Sequence, residues 1–127
     1  MGTAGSGGGG SGGTIIIFIA VSIFFLAALL IGLSIPFLQD KVPPNGVYGF
    51  RTPKTLSDPA IWYEANRFAA KASIAVGIVM FVLGVVLLLL NRYTNLSLNT
   101  LVWLSVAFEF IPALVLLLVL LLYERRL

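Results

Sequence analysis

Two charged residues of this sequence have side chains and surroundings suited to chemistry, Arg51 and Glu109. Arg51 lies in the segment GFRTPKTL, where its planar guanidinium could bind a carboxylate, a phosphate or several carbonyl oxygens. It could equally serve the fold, by pairing with Glu64, by capping the C-terminus of a helix or by anchoring to a lipid headgroup. Arg51 is therefore a candidate binding residue with a structural alternative.

Glu109 lies near the middle of an otherwise uncharged apolar run. A carboxylate at the centre of a bilayer costs about 2.5–3.5 kcal/mol, so it is expected to face protein or to be protonated. Pro112 follows and frees the carbonyl of Phe108, and an acid beside a kink is typical of ion or proton pathways. No basic residue deep in a span can pair with Glu109. A protonated glutamic acid bonded to Ser34, Ser73 or a backbone carbonyl is the structural alternative.

The rest of the composition excludes most catalytic chemistry. The sequence contains no cysteine and no histidine, which removes thiolate and imidazole metal sites, disulfides and Cys–His or Ser–His nucleophiles. The five acidic residues are scattered and form no paired carboxylates. The sequence therefore predicts no enzyme, no metal and no cofactor.

The elements that must position these residues are membrane helices. The chain is 59% hydrophobic and 10% charged, against about 25% charged residues in soluble domains. Apolar runs over about 15–38, 69–90 and 98–122 are each long enough to cross roughly 30 Å of hydrocarbon. We predict an all-α membrane protein with three transmembrane helices, in which residues 14–127 form a single membrane domain.

The connections between the spans differ in length. The short one, 91–97, predicts that the second and third helices form a tight antiparallel hairpin. The long one, 39–68, is rich in proline, aromatic and charged residues, and long loops commonly carry function. Asp58 and Pro59 predict the start of a further helix, which either runs into the second span or meets it after a bend.

The first 13 residues have the composition of a flexible linker. Residues 2–13 read GTAGSGGGGSGG, with no apolar surface to bury. We predict that residues 1–13 are a disordered Gly/Ser-rich linker or tag; a natural leader of the same composition is the alternative.

Basic residues predict the orientation in the membrane. Lysine and arginine accumulate on the cytoplasmic side of membrane proteins. With three spans, the long loop and the C-terminus share a side, and only Arg92 lies on the other. Residues of the shared side are Lys41, Arg51, Lys54, Arg67, Lys71, Arg125 and Arg126. We predict a multi-pass protein of the plasma membrane with the N-terminus outside and the long loop and C-terminus in the cytoplasm. Its basic residues are expected to meet anionic lipid rather than nucleic acid.

The long loop carries a recognisable signature. The order is GFRTPKTL, a short acidic spacer, and then Trp62 in the pattern W-x3-N-R-F-A-x-K. This strongly resembles the signature of the SdpI family of bacterial membrane proteins, which carry G-[IL]-R-T-P-x-T-L between two spans, followed by a tryptophan and an N-R or H-R pair. The resemblance covers about residues 41–71 in detail, and the flanking spans agree in placement.

Three departures from the family pattern are visible. Phe50 replaces the usual isoleucine or leucine, and Lys54 replaces a frequent aromatic residue. The chain has three spans where the best-known members have six, so it resembles a half-length member and is expected to form a homodimer. A stripe of small residues, Ser73, Gly77 and Gly84, could serve either internal helix packing or such a dimer.

The resemblance implies an immunity or signalling protein, which binds a toxic peptide or a soluble regulator through the cytoplasmic face built from this signature. The site residues that it implies are Arg51, Thr52, Pro53, Thr55, Leu56, Trp62, Asn66 and Arg67. Two alternatives stay open: a small transporter or channel subunit that uses Glu109, and a structural accessory subunit of a larger membrane complex.

Overall fold

The computed structural model describes residues 11–127, which form three long helices and no β-strand. The helices are α1 (Ser11–Leu38), α2 (Pro59–Tyr93) and α3 (Leu98–Glu124). All three are long and apolar enough to cross a membrane. The prediction of an all-α, multi-pass membrane protein with three spans is therefore confirmed.

The first helix begins earlier than the sequence suggested. Residues 1–10 lie outside the described part of the chain, so a linker there stays a prediction. Residues 11–13 belong to α1 instead, because each residue added to an existing helix gains a backbone hydrogen bond and fixes only its own two dihedrals.

The second helix runs without a break from Pro59 to Tyr93, so the segment that begins at Pro59 continues into the second span. Its start is well determined: the Asp58 carboxylate accepts the Ala60 N–H at 2.8 Å, and Pro59 occupies the first helical position. The connection after α1 therefore covers 39–58 rather than 39–68. At 1.5 Å per residue, the 35 residues of α2 measure about 52 Å, so the helix extends well beyond a hydrocarbon layer of about 30 Å.

Helices α1 and α2 form the main packing interface. A buried apolar cluster lies between them and includes Ile23 and Ala27 of α1 and Met80 of α2. Gly77 and Gly84 face α1: a Cβ at Gly77 would lie 2.7 Å from Ile31 Cγ1, and one at Gly84 would lie 2.6 Å from a ring carbon of Phe24. These two members of the small-residue stripe therefore allow the helices to approach closely within one chain.

Helix α3 packs mainly on α2. A short connection, 94–97, precedes it, and the Ser97 hydroxyl accepts the Thr100 N–H at 3.1 Å as an N-cap. Near its other end, the Tyr123 ring stacks on Phe68 with centroids 4.0 Å apart. Helices α1 and α3 have fewer contacts with each other than either has with α2. The end of the bundle that carries the 39–58 loop is called the motif end below.

Candidate functional site

The loop is held against α2 by Asn66, which is buried. The Asn66 Oδ1 accepts the Phe50 N–H at 2.7 Å, and its Nδ2 donates to the Phe50 carbonyl at 3.3 Å. The same Nδ2 also donates to the Trp62 carbonyl at 3.0 Å. One side chain thus bonds both polar groups of the Phe50 backbone, and buried backbone groups need such partners.

Thr52 and Thr55 bond reciprocally and shape the turn after Arg51. The Thr52 N–H donates to Thr55 Oγ1 at 2.8 Å, and the Thr55 N–H donates to Thr52 Oγ1 at 3.1 Å. The Thr55 hydroxyl also donates to the Phe50 carbonyl at 2.9 Å, and its side chain is fully buried. This arrangement resembles a helix capping box, and Pro53 supplies a fixed φ between the two threonines.

Trp62 is the largest fully buried side chain and anchors the start of the loop. Its indole N–H donates to the Val42 carbonyl at 2.8 Å, and its ring packs in a cluster with Phe37. Gly49 passes directly over this cluster with φ +123°, and a Cβ there would lie 3.0 Å from Trp62 Cη2 and 2.9 Å from Asn66 Oδ1. Only glycine fits at this position.

Arg51 is exposed on this hydrogen-bonded loop. Asn45 forms the preceding turn by accepting the N–H groups of Val47 and Tyr48, at 2.9 and 2.7 Å. The Arg51 Nε donates to the Asn45 carbonyl at 3.1 Å, which fixes the direction of the guanidinium. Within residues 11–127, the two terminal nitrogens of Arg51 contact no acceptor. Arg51 forms no ion pair with Glu64, which the sequence had suggested as its partner.

Arg67 does not pair with Glu64 either. Its Nη1 donates to both carboxylate oxygens of Asp40, at 2.7 and 2.8 Å. Asp40 lies in the turn that follows α1 and has φ +54°, and its carboxylate reaches Arg67 of α2. The pair joins the end of α1 to α2, and both side chains are partly exposed.

Glu109 is bonded to a residue that the sequence did not suggest. The Ser22 hydroxyl of α1 lies 2.9 Å from Glu109 Oε1. The expected partners Ser34 and Ser73 make no such bond; the Ser34 hydroxyl donates to the Leu30 carbonyl of its own helix at 2.5 Å. The partner depends on which faces of α1 and α3 meet, which local sequence does not indicate.

A groove of about 580 Å³ connects the two candidate regions. It lies between α1 and α3, with part of α2 as its floor. Arg51 and Asn66 line it at the motif end, and Glu109 lines it near the middle of the bundle. Most of its wall is apolar. Within residues 11–127, no three acidic side chains lie close enough together to hold a metal ion.

The structure therefore divides the predicted site residues into two groups. Thr52, Thr55, Trp62 and Asn66 lie together and build the loop. Arg51, Pro53 and Leu56 are exposed, and Arg67 is partly exposed in its ion pair.

Sequence reasoning missed four positions that the structure brings into these contacts. They are Ser22, Asp40, Asn45 and Gly49. The Asn45–Gly46 dipeptide is a turn signal and could have marked Asn45, and the position of Gly49 just before the signature could have marked that glycine. Nothing local marked Ser22 or Asp40, because their partners lie on other helices.

Comparisons with known proteins agree with the signature. The model of the SdpI/YfhL protein family matches residues 41–123. The curated uncharacterized protein YfhL of Bacillus subtilis (strain 168) is 44% identical over 43 residues. That match covers 34% of this chain and 39% of the relative, so it spans well under two thirds of the relative's length. No solved structure matches the chain.

Proposed function

The chain belongs to the SdpI/YfhL protein family, and from this premise we propose that it is an immunity or signalling membrane protein. In this proposal the motif end binds either a toxic peptide or a soluble regulator. The bound partner would be neutralised at the membrane in the first case and held there in the second.

One observation carries the proposal: Arg51 is exposed on a loop whose backbone is bonded to buried side chains. The signature residues Thr55, Trp62 and Asn66 are buried and bonded to the loop backbone, so they serve to hold its shape. Arg51 is exposed, with its Nε fixed and its two terminal nitrogens open. A positioned guanidinium loses little entropy on binding a carboxylate or phosphate, which favours a binding role.

The surface around Arg51 suits an acidic partner with an apolar segment. Val47 at the loop tip is 90% exposed, and Leu56 is 43% exposed. Lys54 adds a second charge and donates to the Glu124 carbonyl at the end of α3 at 3.3 Å. Aqueous partners can reach this surface because α2 is longer than the hydrocarbon is thick.

We propose that this surface faces the cytoplasm. Seven basic residues lie at the motif end or beside it, and one, Arg92, lies at the other end of α2. That asymmetry has the direction of the positive-inside rule.

The test compares two arginine variants, Arg51→Ala and Arg92→Ala. Each tagged protein is purified in mild detergent from its native membrane, and the proteins that accompany it are identified by mass spectrometry. We expect a peptide or soluble regulator to accompany the wild type and Arg92→Ala, and to be lost from Arg51→Ala. Trp62→Ala is unsuitable, because Trp62 is buried and its loss disturbs the fold.

Other outcomes contradict the proposal. A partner retained equally by both variants would show that Arg51 does not contribute to the interface. A large membrane complex retained by both would favour an accessory subunit. A homo-oligomer with no partner from either variant would contradict partner binding and would direct attention to a homodimer.

A second candidate is transport through Glu109, because Glu109 lies in the same groove as Arg51. An intramembrane carboxylate in an accessible cavity is typical of a proton or ion path. The measurement is proton flux into vesicles that contain the wild type or Glu109→Gln, with Ser105→Ala as a control. Flux that is lost only in Glu109→Gln supports transport. The absence of flux in the wild type would rule the transport function out.

A further inference from the structure

The groove between α1 and α3 has the length of one lipid leaflet. Its lining runs from Leu26 to Phe37 on α1 and from Glu109 to Leu120 on α3. At 1.5 Å per residue, each stretch measures about 16 Å along its helix. Half of a hydrocarbon layer of about 30 Å is about 15 Å. The groove therefore extends from the motif end to near the middle of the bilayer.

The chemistry of the lining changes along this length. At the motif end it carries Arg51, whose terminal nitrogens have no acceptor within residues 11–127. Below Arg51 the walls are mainly apolar, with leucines of α1 facing Phe110 and Ala113 of α3. The Ser34 hydroxyl in this stretch is already bonded to its own helix. A groove that is cationic at one end and apolar along its length is complementary to an anionic amphiphile.

We propose that this groove binds one anionic phospholipid from the leaflet at the motif end. The phosphate accepts hydrogen bonds from the terminal nitrogens of Arg51, and one acyl chain lies along the groove towards Glu109. Arginine binds phosphate in a bidentate, charge-assisted manner. Asn66 and Thr55 hold the loop that carries Arg51, so the headgroup site is formed before the lipid arrives.

An acyl chain fits the walls better than an inserted peptide does. A peptide would bring backbone N–H and C=O groups, and each one left unpaired in an apolar environment costs several kcal/mol. Apart from Glu109, which is bonded to Ser22, the deeper part of the groove presents few polar groups to pair with a peptide. An acyl chain has no such requirement. The apolar part of this site lies apart from the exposed surface proposed for the protein partner, and Arg51 is shared by the two.

The test measures retained lipid. Protein is reconstituted in vesicles of equal parts phosphatidylglycerol and phosphatidylcholine, extracted in mild detergent and analysed by native mass spectrometry. Ala113→Phe fills the groove, and Leu114→Phe places the same ring on the neighbouring lipid-facing position. Ser73→Leu fills the groove from α2, which gives a second variant should Ala113→Phe fail to insert.

We expect the wild type and Leu114→Phe to retain one phosphatidylglycerol per chain, and Ala113→Phe and Ser73→Leu to lose it. Arg51→Ala should lower the preference for phosphatidylglycerol over phosphatidylcholine about fivefold, the effect of one basic residue on an anionic headgroup. Retention of the two lipids in equal amounts by the wild type, or full retention by both groove-filling variants, would overturn the proposal.

The groove-filling variants also separate this proposal from the proposed function. They leave the exposed loop surface unchanged, so they should still capture the protein partner. A variant that loses the lipid and keeps the partner supports both proposals, whereas one that keeps the lipid and the partner overturns the lipid site alone.

Discussion

At the scale of single residues, the signature contains two kinds of position. Asn66 and Thr55 are buried and bond the backbone of Phe50 from two sides. Arg51 lies beside them on the same loop and is exposed. A pattern of residue types could identify all three, but it could not distinguish the residues that shape the loop from the one that the loop presents.

The backbone at Gly49 gives the first prediction. Gly49→Ala should lower the free energy of unfolding by about 1–3 kcal/mol, because the left-handed φ of +123° is strained for alanine and the Cβ would overlap Asn66 and Trp62. Thermal unfolding in detergent measures this. Gly46→Ala is the control, since a Cβ there has nothing within 4 Å. Equal stability of the two variants would contradict the geometry of the loop.

The hydroxyl of Thr55 gives the second prediction. Thr55→Val keeps the shape of the side chain but leaves the Thr52 N–H without its partner, and it leaves the Phe50 carbonyl with only the longer bond from Asn66. We expect a loss of about 1–3 kcal/mol in denaturant unfolding. Thr55→Ser keeps the hydroxyl and should lose only about 0.8 kcal/mol for the missing methyl. A serine variant as unstable as the valine variant would show that packing, not hydrogen bonding, is what Thr55 contributes.

At the scale of elements, α2 is the helix on which the rest is organised. Its first turns hold the loop through Trp62 and Asn66, its middle packs on α1 through Gly77 and Gly84, and Phe68 stacks on Tyr123 of α3. Because one unbroken helix makes all of these contacts, the loop keeps a defined position relative to the membrane-spanning part of the bundle.

The close approach of α1 and α2 gives the third prediction. Gly77→Val should lower the free energy of unfolding in detergent by about 1–3 kcal/mol. Its Cβ would lie 3.1 Å from the Ala27 carbonyl oxygen and 2.7 Å from Ile31 Cγ1. Gly32→Val adds the same side chain to α1 at a position where a Cβ has nothing within 4 Å. The control should unfold like the wild type, and a Gly77 variant that does so as well would contradict this packing.

At the scale of the whole molecule, the bundle is asymmetric across the membrane. The motif end carries the loop and most of the basic residues, and the groove reaches that end at Arg51 and Asn66. The proposed partner site and the proposed lipid site both follow from this asymmetry.

Orientation gives the fourth prediction. The chain has no cysteine, so Gly46→Cys and Asn95→Cys each introduce a single thiol, one in the loop and one between α2 and α3. With the loop in the cytoplasm, a membrane-impermeant maleimide added to intact cells should label Asn95→Cys only. Lysed cells should show labelling of both. Labelling of Gly46→Cys in intact cells would reverse the proposed topology.

The sequence by itself determined the three spans, the start of α2 and the family. These depend on local features: apolar runs longer than 20 residues, the Asp58–Pro59 cap and an ordered signature. Tertiary structure alone decided that Arg67 pairs with Asp40, that Glu109 meets Ser22, and that a groove joins Glu109 to Arg51. The physical reason is that the spans are apolar on every side, because lipid and protein interior both accept apolar side chains. Such helices carry no hydrophobic stripe to show which faces meet, so these pairings depend on how the helices pack.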